Sequence, residues 1–241
     1  MDDDTARWLR AEWTVYEQIQ GTFLPAVVAW VDGSRPVLVL ENLSHGHWPP
    51  PWSDAMVTCV ARGLAQIGRT TAPPGLPRLE TLRETLCGWR KVRADPKPFL
   101  NLGLCSRRWL ESSLPTFLDA EEQVELGGES LVHLDVRSDN LCLLQERAVF
   151  VDWSCAHRGN ALIDKVFWAP NLHMEGGPSP GDFVGYRPEH ACLVAGFFAA
   201  HASLRADTPN LERIRMLQLG QLRIALPWAC ASTGVTPPDP R

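Results

Sequence analysis

Three side chains whose oxygen atoms can bind a metal ion follow one another closely in the middle of the chain. Asn140 lies five residues after Asp135, and Asp152 lies twelve residues after Asn140, at the end of a short apolar run. Phosphoryl transfer from Mg-ATP needs a carboxylate for the acceptor hydroxyl's proton, and an amide oxygen and a second carboxylate that hold Mg²⁺ against the phosphates. Mg²⁺ takes few protein ligands, because phosphates and water complete its octahedron. Asn140 and Asp152 supply that limited set.

Two elements must position these residues. His133–Asn140, which we name the Asp135 loop, precedes the apolar runs Leu141–Leu144 and Ala148–Val151. The polar residues Gln145–Arg147 separate these runs, which is the pattern of a β-hairpin. The sequence therefore predicts a loop that carries Asp135 and Asn140, followed by a hairpin that ends beside Asp152.

The first forty residues predict a helix and a second hairpin. Apolar residues recur at helical spacing over Thr5–Gln20. Ala26–Val31 and Pro36–Leu40 are β-rich runs, and Asp32-Gly33 between them is a typical turn. The segment that follows consists of Glu41-Asn42-Leu43, and we name it the hinge.

The remainder of the chain is mainly helical by pattern. We predict an α+β fold with a small lobe of residues 1–43 and a larger helical lobe of residues 44–241 that carries the Asp135 loop and the metal-binding hairpin. The predicted helices of the larger lobe are Ser53 to Arg69, Leu79–Arg93, Ser106–Glu125 interrupted at Pro115, Glu189–Ala206 and Asn210–Trp228.

The ordered set of motifs resembles the aminoglycoside phosphotransferase family, which has the protein-kinase-like fold. His133-Leu134-Asp135 and Asn140 resemble the family's H-G-D-x-x-x-x-N loop, with leucine in the usual glycine position. Arg158–Asp164 resembles its G-N-P-x-x-D segment, and Leu38–Leu43 resembles its hinge strand. The resemblance extends from about residue 7 to residue 228.

This resemblance implies a function and a role for each matching residue. The protein would move the γ-phosphate of ATP to a hydroxyl of a small molecule, either aminoglycoside-like or a metabolite, with Mg²⁺ as cofactor. Asp135 would be the catalytic base, and Arg137 would contact the transferred phosphate. Asn140 and Asp152 would bind Mg²⁺. The backbone groups of Glu41, Asn42 and Leu43 would bind the adenine. His133 would brace the loop, and Asp164 would accept hydrogen bonds from loop amides.

One part of the family's first lobe is missing from the sequence. The resemblance implies a glycine-rich hairpin and a strand lysine that pairs with a helix glutamate, here Glu12, but the first lysine in the chain is Lys91. Either the chain begins late in the lobe, which the direct start of the helix favours, or it is a reduced member. We therefore expect weak nucleotide binding, slow transfer, and a Glu12 that is exposed or paired with Arg10. The alternative function is a non-catalytic remnant that binds a small ligand or a protein partner.

Composition excludes several other classes of protein. The net charge is −5 and no run of basic residues occurs, which argues against a nucleic-acid binder. The longest apolar stretch, Ala191 to Ala200, has ten residues, whereas a membrane span needs about 20. The acidic N-terminus does not resemble a signal peptide, so we expect a cytoplasmic protein. The seven cysteines lack C-x-x-C spacing and predict reduced, mostly buried thiols, including packing roles for Cys142 and Cys155.

A cluster of surface carboxylates is a weaker lead. An acidic rim would attract a cationic acceptor through its electrostatic field. Its candidate residues are Asp54, Asp95, Glu175, Asp182 and Glu189.

Overall fold

The structure, a computed structural model, describes residues 3–238 and divides them into two compact units. The first unit contains the residues up to Thr81, together with Leu126–Trp168 and Glu175–Gly177. The second contains Leu82–Glu125, Ala169–Met174 and the residues from Pro178 onward. The lobe division at residues 43 and 44 stays a prediction.

The first unit carries the hairpins and the Asp135 loop. Its strands form three antiparallel pairs, β1 with β2, β3 with β6 and β4 with β5. The elements are α1 (Asp3–Gln18), β1 (Val27–Val31), β2 (Val37–Leu40), α2 (Asp54–Arg69), β3 (Ser130–Val132), β4 (Leu141–Leu144), β5 (Arg147–Phe150) and β6 (His157–Gly159). Between residues 3 and 40 the structure thus has one helix and one hairpin, which is the reduced first lobe that the sequence predicts.

The hairpin β4–β5 forms where the sequence predicts it. Leu141 pairs with Phe150 and Leu144 pairs with Arg147, so only two residues form the turn. One of them, Gln145, has a φ of 54°. Because all four β4 side chains are buried, the two strands are fixed by packing rather than by a favourable turn sequence.

Helix α2 illustrates how local sequence sets an element's ends. Ser53 is the N-cap, and its side chain accepts a hydrogen bond from the Met56 N–H. Apolar residues at helical spacing, among them Val60, Leu64 and Ile67, are buried in the first unit. The predicted helix from Ser53 to Arg69 is confirmed.

The second unit is helical and packs around α9. Helix α9 is almost entirely buried, and α10 and α6 pack against it. Helix α7 (Leu162–Met174) starts in the first unit; the other elements are α3 (Arg83–Leu86), α4 (Trp89–Ala94), α5 (Lys97–Leu100), α6 (Arg107–Glu122), α8 (Pro180–Val184), α9 (Pro188–Ala202) and α10 (Pro209–Thr233). Across residues 3–238, no helix is long and apolar enough to cross a membrane.

Two predictions for this region are wrong. The stretch 79–93 is not one helix but a 3₁₀ turn followed by α3 and α4. The break falls at Gly88, whose backbone lies so close to that of Gly196 that a β-carbon would not fit. Pro115 does not interrupt α6, which continues through it.

The hairpin β1–β2 exposes apolar side chains. Val28, Val31, Val37 and Val39 all lie exposed on it. Trp30 lies on the other face and stacks on Trp13 of α1, with ring centroids 5.0 Å apart. An exposed apolar face on a short sheet is what a reduced first lobe predicts.

Candidate active site

The Asp135 loop folds its three polar groups against one another. The Asn140 side-chain amide donates to the Asp135 carboxylate Oδ2 at 2.9 Å and to the Asp135 backbone carbonyl at 3.0 Å. Arg137 lies on the other side of Asp135, with 3.3 Å between Nε and Oδ1, and also pairs with Asp139 at 2.9 Å. Asp135 is therefore oriented from both sides, by an amide and by a guanidinium.

Asp164 anchors the start of this loop. Its two carboxylate oxygens accept hydrogen bonds from the N–H groups of His133 at 2.8 Å and Leu134 at 2.7 Å. Leu134, in the family's glycine position, has a φ of 64°. A left-handed conformation costs a non-glycine residue about 1–2 kcal/mol, so the two hydrogen bonds to Asp164 hold a backbone that leucine disfavours. The predicted role of Asp164 as an acceptor for loop amides matches these contacts.

His133 braces the loop from inside the core. Its Nδ1 accepts from the Asp135 N–H at 3.3 Å, so its Nε2 carries the proton and donates to the Val151 carbonyl at 3.0 Å. Burial lowers the pKa of His133, which favours this neutral form. The imidazole thus links the Asp135 loop to the end of β5, in agreement with the predicted bracing role.

Asp152 begins a 3₁₀ turn with a left-handed backbone, at φ 61° and ψ 67°. Its N–H donates to the Glu12 carboxylate of α1 at 3.0 Å, and its own Oδ1 accepts from the Ser154 hydroxyl at 2.6 Å. The Tyr16 hydroxyl also donates to Glu12, at 3.1 Å. The Trp153 N–H also donates to Glu12, so three donors fix this carboxylate, which in turn fixes the backbone of Asp152.

The prediction that Glu12 is exposed or paired with Arg10 is wrong. Arg10 pairs instead with Asp32 in the turn of the first hairpin, at 2.9 Å. Helical geometry explains the outcome, because residues two apart on a helix point in different directions, whereas Glu12 and Tyr16 share a face.

Carboxylates dominate the electrostatics of this region. Burial raises the pKa of Asp135; Arg137 lowers it, and the negative charge of Asp152 raises it further. Burial also raises the pKa of Glu12, and the charge of Asp152 adds to this effect. The charge of Asp152 thus acts on both Asp135 and Glu12, whereas Arg137 offsets the charge of Asp135 alone, and a cation would relieve this excess of negative charge.

The donor set fits a small, hard cation with few protein ligands. The Asn140 amide nitrogen points at Asp135, and the amide oxygen Oδ1 has no donor within residues 3–238. The side chain of Asp152 is exposed and able to bind a cation. In that same part of the chain no three His, Cys, Asp or Glu side chains converge to form a metal site. One amide oxygen and one carboxylate suit Mg²⁺, because it takes few protein ligands and completes its octahedron with phosphate oxygens and water.

The hinge leaves one backbone acceptor and one backbone donor available. The Glu41 N–H donates to the Ala26 carbonyl at 2.8 Å, and the Leu43 carbonyl accepts from Gly46 at 3.0 Å and from Trp48 at 3.3 Å. The Glu41 carbonyl and the Leu43 N–H have no hydrogen-bond partner among the residues that the structure describes. An acceptor and a donor two residues apart match the polar edge of adenine.

Sequence reasoning missed the role of Glu175 in this site. Its carboxylate accepts from the Ser138 hydroxyl of the Asp135 loop at 2.6 Å and from the Trp52 indole at 2.9 Å. Glu175 therefore ties the loop to the segment after the hinge rather than standing free on an acidic rim. No sequence signal reveals these contacts, since Ser138 lies 37 residues and Trp52 lies 123 residues from Glu175.

The cysteines are free thiols, and six of the seven are buried. Cys142 packs in a small core cluster with Leu43 and Val149, as predicted. Cys155 is exposed, so the prediction that it packs is wrong. It ends the 3₁₀ turn that Asp152 begins, and this turn directs its side chain outward.

The comparison with protein families decides the assignment. A family model described as the phosphotransferase enzyme family matches residues 10–227, which is most of the chain. The chain belongs to this phosphotransferase family. Curated protein sequences give no match.

Solved structures with the same fold include other phosphotransferases and a kinase. A thermostable mutant of aminoglycoside phosphotransferase APH(4)-Ia is 17% identical, with a TM-score of 0.56, and the match covers 94% of this chain and 83% of that chain. An aminoglycoside phosphotransferase from Alicyclobacillus acidocaldarius is also 17% identical, with a TM-score of 0.56 and coverage of 95% and 82%. A choline/ethanolamine kinase family protein from Mesorhizobium loti is 13% identical, with a TM-score of 0.58 and coverage of 95% and 84%.

These likenesses confirm the predicted α+β, protein-kinase-like fold. The predicted family is confirmed as well, since its model covers the Asp135 loop and both hairpins. The roles of the individual phosphotransferase residues stay predictions.

Proposed function

We propose that this chain transfers the γ-phosphoryl group of Mg-ATP to a hydroxyl group of a small molecule, with Asp135 as the base. The observation that carries the proposal is the geometry of the Asp135 loop. Asn140 and Arg137 orient the Asp135 carboxylate from two sides, and Asp152 lies within electrostatic reach of it. A binding module without catalysis has no need of this set.

Asn140 and Asp152 would hold the metal ion. The amide oxygen of Asn140 is available because its nitrogen is engaged by Asp135, and the Glu12 carboxylate fixes the backbone of Asp152. Mg²⁺, when bound, neutralises charge on the β- and γ-phosphates. The excess of carboxylates over cationic groups in this region supports a cation site.

The hinge would bind the adenine. The free Glu41 carbonyl would accept from the exocyclic amine, and the free Leu43 N–H would donate to a ring nitrogen. The side chain of Asn42 is engaged elsewhere, because its Oδ1 accepts from the Ser44 N–H at 2.9 Å. Nucleotide recognition therefore relies on main-chain groups of Glu41, Asn42 and Leu43.

Asp135 would accept the proton of the acceptor hydroxyl as that oxygen attacks the γ-phosphorus. Partial burial raises its pKa, which makes the carboxylate a stronger base than an exposed aspartate. Arg137 keeps a positive charge beside it, and a planar guanidinium suits the phosphate oxygens.

The acceptor is a small hydroxyl compound in this proposal. One similar structure is a ternary complex of APH(4)-Ia with ADP and hygromycin B, and another is a choline/ethanolamine kinase family protein. Both an aminoglycoside-like compound and a metabolite such as an amino alcohol are therefore rational first candidates.

Calorimetric titration tests the nucleotide site. The purified chain should bind ATP in the presence of Mg²⁺ and much more weakly without it. Asp152→Ala should lose the Mg²⁺-dependent part of the binding, because it removes one of two protein ligands. Equal binding with and without Mg²⁺, or in the variant, would contradict the assignment of Asp152.

A transfer assay tests the base. Asp135→Asn should bind Mg-ATP as the native chain does and lose phosphoryl transfer by at least about 100-fold, the contribution typical of general-base catalysis. Unchanged turnover would remove Asp135 from this role. Stabilisation of the chain by an acceptor alone, without any effect of nucleotide, would favour the non-catalytic alternative.

A further inference from the structure

Arg147 makes contacts that the predicted roles do not use. It lies at the turn of the hairpin β4–β5, and its guanidinium donates to the Glu41 carboxylate at 3.1 Å and to the Thr22 carbonyl at 3.2 Å. The same oxygen of Glu41 accepts from the Ala26 N–H at 3.1 Å. One ion pair thus joins the first residue of the hinge, the segment before β1 and the hairpin that leads to Asp152.

The ion pair is placed to control the position of the hinge. Its side chains are 37% exposed for Arg147 and 28% exposed for Glu41, so water screens it less than a fully exposed pair. It lies between two surface clefts of 660 and 410 Å³, and both residues line both clefts. Loss of the pair would leave the entry to the hinge held mainly by the hydrogen bond from the Glu41 N–H to Ala26.

The opposite end of the hinge is attached to the same hairpin. The Leu43 carbonyl lies 3.7 Å from the Cys142 thiol of β4, and His47 exchanges two backbone hydrogen bonds with Leu143, at 2.8 and 2.9 Å. The hairpin therefore holds the hinge at both ends, with the free Glu41 carbonyl and Leu43 N–H between them. The strand β5 of this hairpin ends two residues before Asp152.

We propose that Arg147, through its ion pair with Glu41, is a positioning residue that holds the adenine-binding hinge in register with the hairpin that carries the metal ligand Asp152. This inference rests on the proposed nucleotide-binding function. In this proposal the hairpin β4–β5 positions both ends of the nucleotide. The turn that carries Arg147 positions the hinge that binds the adenine, and the end of β5 positions Asp152, which binds the metal ion at the phosphates. Arg147 touches neither group itself.

Binding of two different ligands distinguishes a positioning role of Arg147 from a general loss of structure. Mg-ATP needs the hinge and the metal site, whereas magnesium tripolyphosphate has no base and needs only the metal site. Arg147→Met should weaken calorimetric binding of Mg-ATP by about tenfold, the size of one charge-assisted hydrogen bond, and should leave tripolyphosphate binding within about twofold. Arg147→Lys keeps the positive charge beside Glu41, so this variant should lose less Mg-ATP affinity than Arg147→Met.

The controls use pairs that the chain itself offers. Arg78→Met removes surface ion pairs with Glu80 at 3.1 Å and with Glu129 at 3.7 Å in the same unit, and this variant should bind both ligands as the native chain does. Combining Glu41→Gln with Arg147→Met should weaken Mg-ATP binding by less than the product of the two single effects, because both remove one interaction.

The outcomes discriminate between the two proposals. Unchanged Mg-ATP binding in Arg147→Met, or an equal loss for both ligands, would overturn the positioning role while leaving the proposed function in place. A native chain that binds tripolyphosphate but not Mg-ATP would overturn the role of the hinge and this inference with it. A native chain that binds neither ligand would overturn the proposed function itself.

Discussion

At the scale of single residues, Glu12 shows how a helix side chain supports the proposed metal site from a distance in the sequence. Its carboxylate accepts hydrogen bonds from the Asp152 N–H and from the Tyr16 hydroxyl. Asp152 has a left-handed backbone, which aspartate adopts more readily than most residues but which still benefits from a fixed N–H. Glu12 thus supports the proposed metal ligand through its main chain.

Substitution of Glu12 should separate the hydrogen bond from the charge. Glu12→Ala removes the acceptor for the Asp152 N–H and should weaken Mg²⁺-dependent ATP binding by about fivefold, the value of one ordinary hydrogen bond. Glu12→Gln keeps an acceptor oxygen, so this variant should lose less Mg²⁺-dependent ATP affinity than Glu12→Ala. Calorimetric titration measures both, with Tyr16→Phe as the variant that removes only the second donor. A glutamine variant as weak as the alanine variant would show that the charge matters and not the hydrogen bond.

At the scale of elements, helix α6 tolerates a residue that usually ends a helix. Ser106 caps its start by accepting from the Trp109 N–H, and the helix then runs through Pro115 to Glu122. Proline has no N–H for the carbonyl four residues before it, here that of Glu111, and its ring crowds that carbonyl. The buried face of the helix, which includes Leu110 and Phe117, stabilises it despite this cost.

Replacing this proline should therefore stabilise the protein. Pro115→Ala restores an intrahelical hydrogen bond at an exposed position, and we expect a gain of about 1–2 kcal/mol, smaller than the full helix penalty because proline also restricts the unfolded chain. Thermal unfolding measures the change, and a gain of this size raises the Tm by several degrees. Thr116→Ala, next to it and also exposed, changes helix propensity alone and should shift the Tm less. A lower Tm for Pro115→Ala would show that the helix depends on the proline.

At the scale of the whole molecule, a buried carboxyl group links stability to pH. Glu121 of α6 is fully buried, its Oε1 accepts from the Trp89 N–H at 3.3 Å, and its Oε2 has no hydrogen-bond partner. Burial raises the pKa of Glu121 to about 8. The folded state therefore holds a proton that the unfolded chain releases near its ordinary pKa of about 4.5.

The sign of this linkage gives a prediction. Between about pH 4.5 and pH 8 the folded state binds more protons than the unfolded state, so Glu121 makes the free energy of unfolding fall as pH rises, by up to about 1.4 kcal/mol per pH unit. Glu121→Gln, which is neutral and of equal shape, should remove this part of the slope and stabilise the protein most at pH 8. Urea unfolding at several pH values measures it.

The neighbouring glutamate provides the control. Glu122 is half-exposed and pairs with Arg90 at 2.9 Å. Glu122→Gln should change the slope between pH 4.5 and pH 8 far less than Glu121→Gln, because the charge of Glu122 is the smallest of the causes that shift the pKa of Glu121. An equal slope in the native chain and in Glu121→Gln would show that Glu121 is already ionised in the folded protein.

Features that depend on local pattern and on ordered motifs could be predicted from the amino-acid sequence alone. Ser53 with its helical apolar stripe predicts the bounds of α2, and two apolar runs around a polar turn predict the hairpin β4–β5. The order of the Asp135 loop, Asp152 and the Arg158–Asp164 segment indicates the family. These signals are short-range, because caps, periodicity and motif spacing are set by neighbours in the chain.

Contacts between residues that lie far apart in the chain could not be predicted in this way. The contact between Glu12 and Asp152 joins residues 140 apart, and that between Glu41 and Arg147 joins residues 106 apart. Two local predictions were wrong for the same reason. Packing of α6 outweighs the proline at position 115, and the helix predicted over 79–93 breaks at Gly88, where the backbone of Gly196 lies close. The physical reason is the same in each case: the free energy of these contacts comes from burial and hydrogen bonds between distant segments, which no local pattern encodes.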